Sequence, residues 1–302
     1  MFDLDMFIVA VYYYVSLLYR CRYPRGIRQR GFTPQLTDEE ALTIAIVGEF
    51  LGLGTDEAIY TYFRRHYQAW FPALRDRTLL VRQWVNLWTV KYELWQAILQ
   101  KAGVLFDPHQ VIDTIPIPIC EQVRASRRRI LRGDPLLEPD YGYCDAKDWH
   151  YFGFKGALRI SWDGFIVQAG LVSPRPHDSQ HLDTLLAEVT PGTIICSDKA
   201  FVDRAIQTAL YQKAGILLKT PKKKNMAPSP FDMDHLGNRV RRLIETVGSQ
   251  LKERFHIQQL KIRKGWTLIA KWYRKILAHT MCVWLNKLHG RDPLDFDGLV
   301  TI

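Results

Sequence analysis

The 302-residue chain has only five cysteines, Cys21, Cys120, Cys144, Cys196 and Cys282. They are scattered and none forms a Cys-x-x-Cys pair, which excludes a disulfide framework and a zinc finger and fits a reducing compartment. Long hydrophobic runs are also scarce. The longest, Met6 to Tyr19, has 14 residues, against the roughly 20 that span a bilayer. Asp3 and Asp5 precede it where an export signal would be basic, so it reads as a buried helix. Acidic residues are in short supply: 31 Asp and Glu face 41 Lys and Arg, a net charge of +10. That imbalance predicts attraction to a polyanion, most simply nucleic acid or an anionic membrane. With 47% hydrophobic and 24% charged residues the chain is globular, not disordered or collagen-like.

The first hundred residues read as helical. Thr37-Asp38-Glu39-Glu40 is a capping box, followed by Leu42, Ile44, Ile46, Val47, Phe50 and Leu51. Gly52 and Gly54 stop that helix, and Thr55-Asp56 starts another through Phe63 and Arg64. A third is expected from Arg77 through Trp84, Trp88, Trp95 and Leu99. The arginines among them, including Arg64, Arg75, Arg77 and Arg82, suit either a helix-turn-helix module or a packing domain with solvated cations.

After Pro108 the pattern changes. Val111 to Ile115 is a β-branched run typical of a buried strand, and Tyr151–Ile160 and Phe165–Val172 alternate around Asp163-Gly164 as a hairpin. Then follow a helix at Ser179–Val189, a strand at Thr193–Cys196, a helix at Val202–Ala214, a strand at Ile216–Lys219, a long helix from His235 and a last helix at Thr267–Leu288. This order predicts a mixed α/β fold.

Three carboxylates stand out. Asp113 interrupts an apolar strand, where an ionised group costs several kcal/mol unless it is paired or binds a metal. Asp198 ends the run Thr193–Cys196; it suits a ligand site at a strand's carboxyl end or the cap of the helix that follows. Glu245 lies among Arg239, Arg241, Arg242, Lys252 and Arg254, four residues after Arg241, and an ordinary ion pair on a solvated face accounts for that spacing too. Taken together, acids from distant elements inside a basic protein suit two hard cations that activate a water or a 3′-hydroxyl for phosphodiester displacement. Asp178 offers a further carboxylate near them or a helix cap.

The motifs around these acids occur in order over about residues 105 to 285. They are Ile112-Asp113-Thr114-Ile115-Pro116-Ile117-Pro118, Tyr151-Phe152-Gly153-Phe154-Lys155, Ser173-Pro174-Arg175-Pro176-His177-Asp178, Ser197-Asp198-Lys199-Ala200-Phe201 and Arg241-x-x-x-Glu245-x-x-x-x-x-x-Lys252. With them the chain resembles bacterial insertion-sequence transposases of the DDE class, and among these insertion-sequence family 982. The resemblance implies an RNase H-like mixed sheet flanked by helices over residues 105–302, C-terminal helices included. Residues 1–104 are then an all-helical N-terminal domain that binds DNA ends. It also implies that Asp113, Asp198 and Glu245 are catalytic and hold two Mg²⁺ (or Mn²⁺) ions. The activity implied is cleavage at terminal inverted repeats and strand transfer into target DNA by a homodimer, in the cytoplasm and associated with the nucleoid, with no membrane partner. Arg241, Lys252 and Lys199 carry over as DNA contacts. The chain departs from relatives at Asn238, where a tyrosine precedes the arginine by three, and at Ala200, where glycine is frequent.

Arg124, Arg127, Arg128, Arg129 and Arg132, and likewise Lys222-Lys223-Lys224, are dense basic stretches, either solvated or placed against a phosphate backbone. Two other functions remain compatible with these residues: a nuclease of the same fold that hydrolyses without joining, and a non-catalytic DNA-binding protein on a transposase scaffold.

Overall fold

The computed structural model describes residues 2–28, 33–127, 130–131, 133–134, 137–144, 148–222 and 225–301, apart from the side chains of Leu236 and Asn238. In chain order the first elements are β1 (Phe2–Asp3), α1 (Leu4–Arg22), α2 (Asp38–Phe50), α3 (Asp56–His66), α4 (Arg77–Asn86) and α5 (Trp88–Ala102). Then come β2 (His109–Glu121), β3 (Asp140–Cys144), β4 (Trp149–Ser161), β5 (Ile166–Val172), α6 (Leu182–Leu185) and β6 (Ile194–Cys196). The last are α7 (Arg204–Ala214), β7 (Leu217–Lys219), α8 (His235–Glu253), α9 (Gly265–Leu288) and β8 (Val300–Thr301). Contacts group Met1–Lys101 with Gln250–Ile302 as one compact unit and Ala102–Ser249 as the other. The segment from Gln250, expected with the sheet, thus groups with the first helices, and the division falls inside α8.

The helical unit is organised around α9, which packs on α2 and α4. Both α2 and α9 bury nearly every face, as expected for helices that are apolar all round. The capping box at α2 is complete: Glu40 N donates to Thr37 Oγ1 at 3.2 Å and Thr37 N donates to Glu40 Oε2 at 2.7 Å. Charged groups are buried where α2 meets α9. Glu49 accepts from Arg274 and Lys275, both at 2.6 Å, and Asp56 accepts from Arg274 at 2.8 Å.

Two expectations for this unit are corrected. The helix expected from Arg77 to Leu99 is two helices, α4 and α5, broken at Leu87. The buried Lys91 ammonium makes the break tolerable by donating to the Trp84 carbonyl in the last turn of α4 and to Ala270. The N-terminal helix is also longer than its apolar run, taking in Asp5, Arg20 and Arg22, and it is less buried than expected. α1 has 19 residues with a mean hydropathy of 1.3, enough by length and composition to cross a membrane, and 33% of its apolar window is buried. Phe7, Val11, Val15 and Leu18 face the core, whereas Met6, Val9 and Tyr13 are exposed.

The other unit is a six-stranded mixed sheet in the order β3-β4-β2-β6-β7, with β5 also on β4. β2 and β4 are antiparallel, as are β4 and β5, whereas β6 and β7 run parallel to β2. This is the expected α/β arrangement, an RNase H-like mixed sheet with flanking helices, and the chain also has the expected N-terminal helical region. Ile112, Ala157, Ile195 and Leu218 on one face of the sheet form a core with Leu182, Leu185 and Phe201, and Ile206 and Leu210 of α7 pack against it. The hairpin turn is made at Gly164, whose φ of 81° suits glycine alone.

Three differences are notable. β2 runs on through Pro116 and Pro118 to Glu121, well past the expected strand, and β3 was not expected. Beyond Val111 no strand pairs with β2 on the β6 side among the described residues. Pro116 and Pro118 share one parity, so their missing N–H groups fall on that open edge and the β4 pairing continues past them, with a register shift between Pro118 and Cys120. The helix expected over Ser179–Val189 is reduced to a 3-10 turn (Asp178–His181) and the four residues of α6, and Glu188 at φ 62° leaves the helical path.

Candidate active site

The parallel pairing of β2 with β6 ends two residues before two of the three acids. Val111 is in register with Cys196, and the acids each lie two residues further on, Asp113 still within β2 and Asp198 just past the end of β6. Side chains two apart share a face, and neighbouring strands lie about 4.8 Å apart. The chain keeps its direction past the end of β6. Asp198 is extended (φ −83°, ψ −175°), and Ser197 N still donates to the Lys219 carbonyl at 3.0 Å. The carboxyl ends of parallel strands are where ligands collect in α/β sheets.

Both carboxylates are held locally by the backbone. Asp113 Oδ1 accepts from Thr114 N at 2.7 Å. Asp198 Oδ1 accepts from Ala200 N at 2.8 Å and caps the short 3-10 turn Lys199–Phe201, so its capping role is real and coexists with its place at the strand end. Burial raises the pKa of Asp198 above the ordinary carboxyl value. The Ala200 N–H opposes that rise, Asp178 reinforces it, and the positive charge of Arg241 and the His177 ring oppose it further. A carboxyl buried beside another acid favours a proton or a cation.

Asp178 does not cap its turn; His177 does, its ring accepting from Ser179 N. The Asp178 carboxylate is instead paired with Lys155 at 2.6 Å. Lys155 is the residue that reading the sequence left without a role. Its signal was present, since it is the first cation in the otherwise apolar part of β4, a position that calls for a buried partner.

Glu245 comes from α8, where Val240, Ile244, Val247 and Leu251 form the buried stripe and Arg242, Glu245 and Thr246 face outward. One turn separates Arg241 from Glu245, and Arg241 Nη2 donates to Glu245 Oε1 at 3.0 Å, with the two side chains 38% and 56% exposed. Because Arg241 also acts electrostatically on Asp198, it is the group that links the third acid to the second. The three carboxylates do not close into one cluster: among the described residues no group of three or more His, Cys, Asp or Glu is placed to hold a metal ion. Asp113 and Asp198 offer hard oxygen donors as they stand, and the third donor is occupied by Arg241.

The basic residues are spread more widely. Lys199 is exposed on the turn after Asp198, and Lys252 lies seven residues beyond Glu245 on α8, half-buried. Arg124 and Arg127 are exposed on a 3-10 turn (Gln122–Arg127) that follows β2, Arg124 at 3.7 Å from Glu121. Lys222 is exposed in the loop after β7, whereas Arg128, Arg129, Arg132, Lys223 and Lys224 lie outside the described residues.

No curated protein and no solved structure matches the chain significantly. A family model described as Transposase DDE domain matches residues 106–264, just over half of the chain and a span that includes Asp113, Asp198 and Glu245. The chain belongs to the family of proteins with a transposase DDE domain.

Proposed function

We propose that the protein moves an insertion sequence resembling those of family 982: it binds the terminal inverted repeats, cuts the DNA there and joins the freed 3′-hydroxyl to target DNA. The observation that carries this reading is the Val111–Cys196 register, two residues before Asp113 and Asp198 on their respective chains, inside a span matched by the DDE domain. Asp113, Asp198 and Glu245 are the catalytic set in this reading. Their carboxylate oxygens are the donor class that Mg²⁺ or Mn²⁺ prefers, and the desolvation of Asp198 beside Asp178 leaves that spot short of positive charge. Asp113 and Asp198 fit such an ion, and Glu245 fits it once its carboxylate leaves Arg241. A divalent ion held there, or a pair of them, supplies Lewis acidity for in-line phosphodiester displacement.

The chain's own part follows from its charges. Arg241 exchanges Glu245 for a phosphate of the incoming DNA, which ties the third carboxylate's release to substrate binding. Lys199 and Lys252 bind the backbone, as do Arg124, Arg127 to Arg129 and Lys222 to Lys224. The Lys155–Asp178 pair keeps a second negative charge beside Asp198. The helical region holds the DNA ends, and pairing two ends calls for a homodimer acting in the cytoplasm at the nucleoid.

A second reading, a non-catalytic DNA-binding protein, draws on the closed Arg241–Glu245 pair. Incubating the protein with end-bearing DNA, a supercoiled plasmid and Mg²⁺ or Mn²⁺ separates the possibilities. Joined products that disappear on adding a chelator, and in Asp113→Asn, support transposition. Nicked products without joining indicate a hydrolytic nuclease, and binding without any metal-dependent cleavage indicates the scaffold reading.

A further inference from the structure

The helical unit carries a groove of about 700 Å³ at the start of α3, along α4 and beside the segment before α9. Five cations line it, Arg77, Arg82, Lys261, Arg263 and Lys271, against two acids, Asp56 and Glu57. Arg77 is paired with Glu57 at 3.2 Å and Lys271 with Asp56 at 3.0 Å. Arg82, Lys261 and Arg263 have no ion pair among the described residues, so the groove's surplus of positive charge rests on these three.

The fold holds them in place. Leu260 and Ile262 are buried, so the intervening Lys261 and the following Arg263 are turned outward, with Lys261 in a left-handed conformation (φ 44°). On α4, Leu80, Gln83, Trp84 and Leu87 anchor the buried side, which leaves Thr78, Arg82 and Asn86, at i, i+4 and i+8, as an exposed polar stripe facing the same groove. Unpaired like charges gathered in a concavity repel one another and contribute nothing to folding. They make physical sense with an anion among them.

We propose that this groove binds the phosphodiester backbone of DNA through Arg82, Lys261 and Arg263, with Thr78 and Asn86 available to phosphate oxygens or base edges. Three cations drawn from a helix and from a segment far away in sequence suit successive phosphates on a strand. The choice of DNA as ligand rests on the transposase reading; the site does not. It is separate from the carboxylates, and no sequence motif marked Lys261 or Arg263.

The test measures binding of a fluorescent 30-base-pair duplex to the full-length protein without divalent metal across a salt series. The triple variant Arg82→Gln, Lys261→Gln, Arg263→Gln is compared with a charge-matched control at exposed cations outside the groove, Arg65→Gln, Lys101→Gln, Lys213→Gln. The groove variant is expected to lower the slope of log K against log salt by about 2.7, from roughly 0.9 per lost phosphate contact, with an unchanged melting temperature. The control is expected to keep the wild-type slope. An unchanged slope in the groove variant, or an equal loss in the control, overturns the proposal. So does pyrophosphate or a nucleotide that occupies the groove at micromolar concentration while duplex affinity is unaffected by the triple substitution. Failure of the transposase reading would be seen separately, as absent metal-dependent cleavage and joining with duplex binding intact.

Discussion

Glu49 is the position where charge and stability are most tightly bound together. It is 1% exposed and accepts from Arg274 Nε and Lys275 Nζ, each at 2.6 Å. Burial alone would raise its pKa, but Lys275 and Arg274 outweigh burial and hold the carboxyl below its ordinary value. Glu49→Gln keeps the shape and removes the charge, leaving two buried cations to compete for one neutral amide oxygen; Arg274 retains Asp56 at 2.8 Å and Lys275 retains the Phe255 carbonyl. Breaking a buried pair by removing one partner costs about 3–5 kcal/mol. For a unit of this size that corresponds to a fall in melting temperature of about 6–20 °C. Thermal unfolding at pH 7, followed by circular dichroism, measures it. The sign with pH is fixed: a depressed carboxyl pKa gives stability that is present above the ordinary value of 4.5 and lost as pH falls through the folded-state value. The gap between wild type and variant should therefore narrow below pH 4.5. A loss under about 2 °C at pH 7, or a gap that widens on acidification, would refute the assignment of this pair as a structural keystone.

Other outcomes follow from the sheet unit. Asp198 has a raised pKa, so its ionised form weakens the fold, and that cost sets in as pH rises above the ordinary value of 3.8. Asp198→Asn, which retains an oxygen for Ala200 N, should melt higher than wild type at pH 7 and equally below pH 3.8 in calorimetry; a lower melting temperature at pH 7 would contradict the cause assigned to the shift. Gly153→Ala would place a Cβ 2.3 Å from the Ile117 carbonyl and 2.9 Å from Pro118 Cα, both backbone. A loss of about 1–3 kcal/mol in urea unfolding is expected, and an unchanged midpoint would mean that β2 and β4 do not approach as described. Arg241→Met removes the partner of Glu245 and a positive charge acting on Asp198, so the duplex-binding salt slope should fall by about 0.9; a wild-type slope would exclude Arg241 from the DNA path.

Much of the fold was legible because its signals are local. The capping box at Thr37–Glu40, the Asp163-Gly164 turn and the strand ending at Cys196 all depend on neighbouring residues, and each is where the sequence puts it. β2 was read too short because proline normally ends a strand, and whether it does here depends on which edge of β2 is unpaired, a tertiary property. The α4–α5 break was hidden for a similar reason: Lys91 looks like a solvated lysine until its ammonium is found on the Trp84 and Ala270 carbonyls. At the site, the apolar settings of Asp113 and Asp198 marked them as unusual, and each follows by two residues the last paired position of β2 with β6. Glu245 was legible only through spacing, and the same spacing that marks it also gives its ion pair with Arg241. Lys155, by contrast, needed the structure to connect it to Asp178.

The central claim is that Asp113, Asp198 and Glu245 act together on a phosphodiester. It is tested most directly by joining of end-bearing DNA to plasmid in Mg²⁺ or Mn²⁺, with Asp113→Asn, Asp198→Asn and Glu245→Gln assayed side by side and duplex binding measured in parallel. The expected result is joining by the wild type, loss of cleavage and joining in all three variants, and binding retained in each. Wild-type levels of joined product from any one of the three would contradict it.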